Sequence, residues 1–193
     1  MPGIRRIRRG REDPEVLALA DYGRLRADGG HRFELVRGRV VREPKPSPLH
    51  ARLAARLTYF LEGYAQATGG VVVLASGGFV LDLDPPTVRG PDIAVVAAAR
   101  VPVSGYGDEF WHIGPDLAIE ILARAERAGS IRARIPEYFG AGTRVVWVVD
   151  PRGRAVIIHE PARPTRWTSS ADLLLCEEVL PGFRLPLAAL FAL

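Results

Sequence analysis

With 193 residues, of which 48% are hydrophobic, 25% charged and 8% aromatic, the chain is sized and composed for one globular unit with a substantial core, which excludes a disordered, collagen-like or coiled-coil protein. Its apolar runs, among them residues 71–75 and 145–149, are strand-sized, well short of the roughly 18 residues that a membrane-spanning helix needs. The formal charge of +4 sits at the N-terminus, because Arg5, Arg6, Arg8, Arg9 and Arg11 fall in an acid-free stretch and leave the rest of the chain near neutrality.

Residues 1–12 read as a basic tail ahead of a single domain over residues 13–193. The tail either contacts phosphates non-specifically, through counterion release, or stays solvated. No apolar stretch follows its arginines, so it is not a secretory signal, and a cytoplasmic protein with no membrane contact is expected. A first helix is expected over residues 14–26, where Val16, Leu17, Leu19, Ala20 and Tyr22 keep a near-helical rhythm up to Asp28-Gly29-Gly30. Two β-prone runs, residues 32–36 and 39–43, flank Arg37-Gly38 and predict a hairpin with Glu34 in its first strand.

Pro44, Pro46 and Pro48 make a stiff connector, and Ser47 before Pro48 fits an N-cap followed by proline at the first helical position. The helix that starts there carries Leu53, Leu57, Phe60, Leu61 and Tyr64 on one face, with His50 one turn earlier on the same face. After Gly69-Gly70 the pattern turns to β. Residues 71–75 and 79–83 around Ser76-Gly77-Gly78 predict a second hairpin, and Pro85, Pro86 and Gly90 separate it from a strand over residues 92–97. Residues 98–115 have no period and read as a loop, whose Tyr106, Phe110 and Trp111 are assigned to a core edge or an oligomer contact in preference to base stacking. Residues 116–122 and 144–150 read as buried strands with a helix over 130–140 between them, an order that favours a parallel pair. Residues 155–159 and 173–178 are weaker strands expected at the sheet edge. The single cysteine, Cys176, excludes a disulfide framework and reads as a small buried residue.

Two acids stand out against this background. In residues 116–122 the period of two puts Leu117, Ile119 and Ile121 on one face and Ala118, Glu120 and Leu122 on the other, so Glu120 is a carboxylate inside an apolar strand. An ionised carboxylate without a partner costs several kcal/mol to bury, so a cation is expected beside it, either an arginine or a metal. Asp92 opens the apolar run that follows Gly90-Pro91, where a turn-forming aspartate is the plainer reading. As a pair on neighbouring strands, however, the two acids offer hard oxygen ligands of the kind Mg2+ takes.

Phe33-Glu34-Leu35-Val36 followed by Gly38, Ser47 and His50 at the opening of a helix, Pro91-Asp92, Glu120 within its strand, Tyr138 with Gly142, and Val146-Trp147-Val148-Val149-Asp150-Pro151 resemble, in that order, the Uma-type restriction endonucleases of the PD-(D/E)XK nuclease superfamily. The resemblance runs from Phe33 to the Pro181-Gly182-Phe183 region. It implies an α/β, restriction-endonuclease-like fold, with a central mixed β-sheet flanked by helices behind N-terminal hairpins. It also implies a Mg2+ or Mn2+ cofactor held by Asp92 and Glu120, with the carbonyl of Ile121 as a third ligand. Glu34 would line the same site or position a water. His50 would contact phosphate or water at the mouth of the cleft, against its plainer reading as a capping or packing histidine.

The sequence departs from the family at its lysine. Two residues after Glu120, where the superfamily pattern has it, stands Leu122; four residues before Tyr138, where the Uma-type group supplies it, stands Arg134. Ser130 occupies the position of an aspartate one turn earlier, and Pro136 is expected to interrupt the helix. Arginine binds phosphoryl oxygens well but hardly deprotonates. The expected function is therefore a Mg2+-dependent endonuclease acting on DNA, with Glu34, Asp92, Glu120 and Arg134 as catalytic residues and a homodimer as its assembly. The alternatives are a catalytically impaired nuclease fold that binds DNA or serves assembly, and a fold reused for protein partnership.

Overall fold

The structure, a computed structural model, describes residues 16–23, 32–43, 45–123 and 128–192; the basic tail and the Asp28-Gly29-Gly30 stop lie outside them. Of the first expected helix, α1 covers Leu19–Tyr22. The first hairpin forms as read: β1 (Arg32–Val36) and β2 (Arg39–Glu43) pair antiparallel from Arg32↔Glu43 to Val36↔Arg39. Its turn needs left-handed backbone at both Arg37 (φ 50°) and Gly38 (φ 73°), and a Cβ on Gly38 would run into Val16.

Helix α2 (Pro48–Thr68) begins at the expected cap, with the Ser47 hydroxyl accepting from the His50 amide at 3.2 Å, and ends at left-handed Gly69 (φ 64°). Its buried stripe is His50, Leu53, Leu57, Leu61 and Ala65. Beyond it the chain runs through β3 (Val71–Ala75), β4 (Phe79–Leu83), β5 (Pro86–Arg89), β6 (Ile93–Ala97), β7 (Leu117–Ile121), α3 (Ala128–Gly140), β8 (Val145–Asp150), β9 (Ala155–His159), β10 (Arg166–Ser169), β11 (Leu173–Cys176), β12 (Leu180–Pro186) and α4 (Leu187–Leu190).

A mixed six-stranded sheet, ordered β10-β9-β8-β7-β6-β3, is the centre of the fold. Only β7 and β8 are parallel, with α3 in the connection between them. On one face Ile93, Val95, Leu117, Ile119, Ile121, Trp147 and Val149 pack against α2 and against Leu174, Leu180, Phe183 and Leu187 from the C-terminal elements. On the other face Ala118, Val146 and Val148 pack against Ile131 and Tyr138 of α3. This second face is the one that carries Glu120. A four-stranded antiparallel sheet, β2-β1-β5-β4, brings Glu34 to the same region. No helix among the described residues is long and apolar enough to cross a membrane.

The structure corrects four readings. Residues 71–75 and 79–83 do not form a hairpin. Instead β3 pairs with β6 in the central sheet and β4 pairs with β5 in the smaller one, and Ser76-Gly77-Gly78 carries the chain between them. A Cβ on Gly78 would collide with the Phe110 ring, so the glycine is needed for this close crossing. Pro85 and Pro86 do not simply end the β region, since Pro86–Arg89 is itself a strand. Residues 173–176 lie in a separate two-stranded sheet with β12 rather than at the central sheet's edge, and residues 155–159, expected at that edge as well, lie one strand in from it beside β10. Pro136 does not interrupt α3, which runs through it. Trp111 is buried against Phe79, sealing a core edge, while Tyr106 stays exposed. Cys176 is buried, and burial pushes its thiol up to about 11, which makes it an inert packing group.

Candidate active site

Register brings the two acids together. The antiparallel pair β6/β7 matches Ile93 with Ile119, which sets Asp92, the residue before β6, beside the end of β7. The Ile121 amide donates to Asp92 Oδ2 at 2.8 Å. His50, delivered by the first turn of α2, faces the same oxygen, with its Nε2 at 2.9 Å. An ionised carboxylate can only accept, so Nε2 is the donor. Among the described residues the buried Nδ1 of His50 finds no hydrogen-bond partner.

Glu120 meets α3. Because α3 packs on the face that Glu120 shares with Ala118, its residues Arg134 and Tyr138, one turn apart, both reach the carboxylate. Arg134 Nη1 lies 3.1 Å from Oε2 and the Tyr138 hydroxyl donates to Oε1 at 2.7 Å. Of the two cations expected beside Glu120, the structure supplies the arginine. Arg134 also donates through Nη2 to Glu43 at 2.7 Å and stands 3.8 Å from Glu34 Oε2. Glu34 is held by Arg89 Nη1 at 2.7 Å and by the Gly90 amide at 3.1 Å, and Arg89 reaches on to Glu137. The predicted residues Glu34, His50, Asp92, Glu120, Ile121 and Arg134 thus form one buried neighbourhood.

Among its described residues this neighbourhood holds more acid than base: Glu34, Glu43, Asp92, Glu120 and Glu137 around Arg89 and Arg134. Glu120 is raised from its ordinary value. Burial raises its pKa, Arg134 and the Tyr138 hydroxyl oppose that, and Asp92 and Glu34 add to it, leaving it at about 8. Burial works against the charge of Arg134, but Glu120, Glu34 and Glu43 outweigh it and hold the guanidinium ionised. Tyr138 is raised well above its ordinary value by burial and by the charge of Glu120, so it remains a donor.

A stability test follows from the sign of the Glu120 shift. Below 4.5, the ordinary value, Glu120 is protonated in folded and unfolded chains alike; between 4.5 and about 8 only the folded chain keeps the proton. Raising the pH through that window therefore removes stability. The melting temperature of wild type relative to Glu120→Gln is expected to fall from pH 4.5 to about 8 and to level off above it. A flat difference across the window would place the carboxyl in an ordinary environment.

The donor chemistry fits a hard dication. Among the described residues no three His, Cys, Asp or Glu side chains are poised around one ion. Chelation would rest on Asp92, Glu120 and the Ile121 carbonyl, with water filling the remaining positions, as Mg2+ commonly accepts. Burial is what chiefly raises Glu120, with Asp92 and Glu34 adding to it, and a cation bound there would oppose all three. Oxygens of Glu120 already bonded to Arg134 and Tyr138 retain further lone pairs.

Sequence reasoning did not single out Arg89, Glu43 and Glu137, and it noted Tyr138 without a role in the site. Tyr138 carried a usable signal, being one helical turn from Arg134. Glu43 and Arg89 each end a short strand next to a proline or glycine and resemble ordinary solvated charges.

A mixed central sheet, with a helix between its parallel strands and acids of three strands gathered against that helix, defines a protein of the restriction-endonuclease-like class. The Uma2 family, described as "Putative restriction endonuclease", matches residues 19–188, and the chain belongs to that family. The crystal structure of a protein from Anabaena variabilis, described as "a putative nuclease belonging to DUF820", shares the fold with a TM-score of 0.81 at 19% identity, covering 91% of this chain and 98% of that one. No curated protein matches the chain.

Proposed function

We propose that the protein is a divalent-metal-dependent endonuclease that hydrolyses DNA phosphodiester bonds. The observation that carries this reading is the convergence of Asp92 and Glu120 from separate segments onto one side of β7. Asp92, Glu120 and the Ile121 carbonyl would hold Mg2+ or Mn2+, which when bound supplies Lewis-acid stabilisation to a phosphoryl group. Glu34, with the lone pairs that Arg89 and Gly90 leave, accepts a hydrogen bond from water and orients it. Arg134 contributes positive charge to the phosphoryl oxygens but does not act as a base, because a guanidinium stays protonated. His50 offers its Nδ1, without a partner among the described residues, as an acceptor to water, and protonation of the ring would let it donate to a phosphate oxygen. Family membership supports DNA as the substrate, and a cytoplasmic homodimer that pairs two sites on a duplex completes the reading.

A second reading has its own observation. Both oxygens of Glu120 are engaged by Arg134 and Tyr138, and Asp92 Oδ2 by Ile121 and His50, as they would be in a nuclease fold that binds DNA without cutting it. Nicking of supercoiled plasmid with Mg2+ or Mn2+ and salt-dependent duplex binding, measured on one sample, separate the two. Metal-dependent cleavage by the wild-type protein supports the active enzyme. Binding without cleavage in wild type, with cleavage appearing only in Arg134→Lys, supports the silent fold.

A further inference from the structure

One buried cation has no part in that chemistry. Arg89 ends β5, three residues before Asp92, and its side chain is buried. Its guanidinium donates through Nη1 to Glu34 Oε2 at 2.7 Å, and Nε and Nη2 both lie 2.7 Å from Glu137 Oε2. The following residue completes the grip, because the Gly90 amide donates to the other oxygen of Glu34 at 3.1 Å. Both oxygens of Glu34 are thereby fixed by the two residues that lead into Pro91-Asp92. Glu137, in turn, lies in α3 between Arg134 and Tyr138, the two residues that hold Glu120.

We propose that Arg89 is the positioning residue of the site, a single guanidinium that fixes Glu34 against the Asp92 segment and, through Glu137, fixes the helix that holds Glu120. The proposal rests on the nuclease reading and deepens it. Arg89 acts through Glu34 and Glu137, and the planar fork is essential to that action. Its donors point in fixed directions and serve two carboxylates at once, whereas an ammonium is a point charge that does not reproduce this spacing. Burial alone would lower the pKa of Arg89, but Glu34 and Glu137 raise it, so the charge is retained where it is needed. Gly90 carries no side chain to crowd this junction; a Cβ there would meet only backbone oxygens of Gly77 and Ser76 at ordinary distances.

The test compares wild type with Arg89→Gln, Arg89→Lys, Glu34→Gln, Glu137→Gln and the Arg89→Gln/Glu34→Gln double variant. Three quantities are measured: steady-state nicking of plasmid with Mn2+, Mn2+ affinity from the resonance signal of the free ion, and thermal melting. Arg89→Gln is expected to lower kcat by about 100-fold, the size of effect that a displacement near 1 Å produces, with KM for plasmid changed by less than about threefold. Mn2+ binding should weaken by about tenfold, as for other groups that orient ligands from behind. The double variant should be slower than Glu34→Gln by no more than the roughly tenfold that Glu137→Gln costs, because without the Glu34 carboxylate only the Glu137 contact of Arg89 remains to be lost. Arg89→Lys should stay at least about tenfold below wild type.

Losses that multiply in full in the double variant, unchanged Mn2+ affinity, or full activity in Arg89→Lys would each overturn the proposal. Should Arg89→Gln fail to fold, Glu137→Gln carries the test from a partly exposed contact. It is expected to melt near wild type with kcat down by about tenfold, and an unchanged kcat overturns the proposal. A wild-type protein that neither cuts nor binds Mn2+ overturns the nuclease reading and the proposal together; an active wild type with fully active Arg89 variants overturns the proposal alone.

Discussion

Glu120→Ala is expected to reduce Mg2+- or Mn2+-dependent nicking by about a thousandfold, corresponding to the several kcal/mol of transition-state stabilisation that a bound Lewis acid supplies. The physical basis is that Glu120 sits in surroundings that disfavour its charge. It is buried on an apolar strand, and with Arg134 and Tyr138 both on it its pKa still stands at about 8. Loss of fold does not explain the expected effect. The variant removes a carboxyl that is costly to bury in its ionised form and leaves Arg134 paired with Glu43 and near Glu34, so the protein should still melt cooperatively. Cleavage at the wild-type rate would remove Glu120 from the site.

Arg134→Ala is expected to produce the largest loss of stability, about 3–5 kcal/mol in urea denaturation above pH 8, where Glu120 is ionised, because it strands Glu120 and Glu43 without their common cation. Two agents should restore part of that loss. Lowering the pH protonates Glu120, whose raised folded-state pKa loses the opposing charge of Arg134, so stability returns as the pH falls. Millimolar Mn2+ should also stabilise the variant, since a dication can take over the neutralising role and binds the folded chain alone. A variant as stable as wild type would mean that the ion pairs contribute nothing, and one that Mn2+ leaves unchanged would mean that the acids do not converge on a common ion.

How much of this was legible in the sequence depended on whether the signal was local. Ser47-Pro48 and Arg37-Gly38 specify a cap and a turn within a few residues, and both form as read. Alternation within 117–121 placed Glu120 on the face opposite Ile119, because that face is fixed by a period of two whatever the strand's neighbours are. The same alternation in 71–75 and 79–83 says nothing about which strand pairs with which, and the nearest-neighbour reading gave a hairpin where the chain changes sheets. Pro136 looked like a helix breaker, yet α3 continues through it while its face against the sheet stays packed.

The candidate site divides in the same way. Glu34, Asp92, Glu120 and Arg134 were found through the strand pattern and the family resemblance, and the structure gathers them. The arginine that organises them was invisible. All but one of the 26 basic residues are arginine, so another arginine in the chain carries no information, and Arg89 sits in a four-residue strand that prolines disguise as a break. Its importance comes from meeting Glu34, 55 residues away, and Glu137, 48 residues away, contacts that only the folded chain creates.

The most direct measurement is a crystal structure of the protein grown with Mn2+, with the ion located by its anomalous signal. The account predicts one ion within ligand distance of carboxylate oxygens from both Asp92 and Glu120, with the Ile121 carbonyl in the same coordination sphere and Arg134 drawn back from Glu120 Oε2. An ion bound elsewhere, or no ion at concentrations that support nicking, with Arg134 still on Glu120, would contradict it.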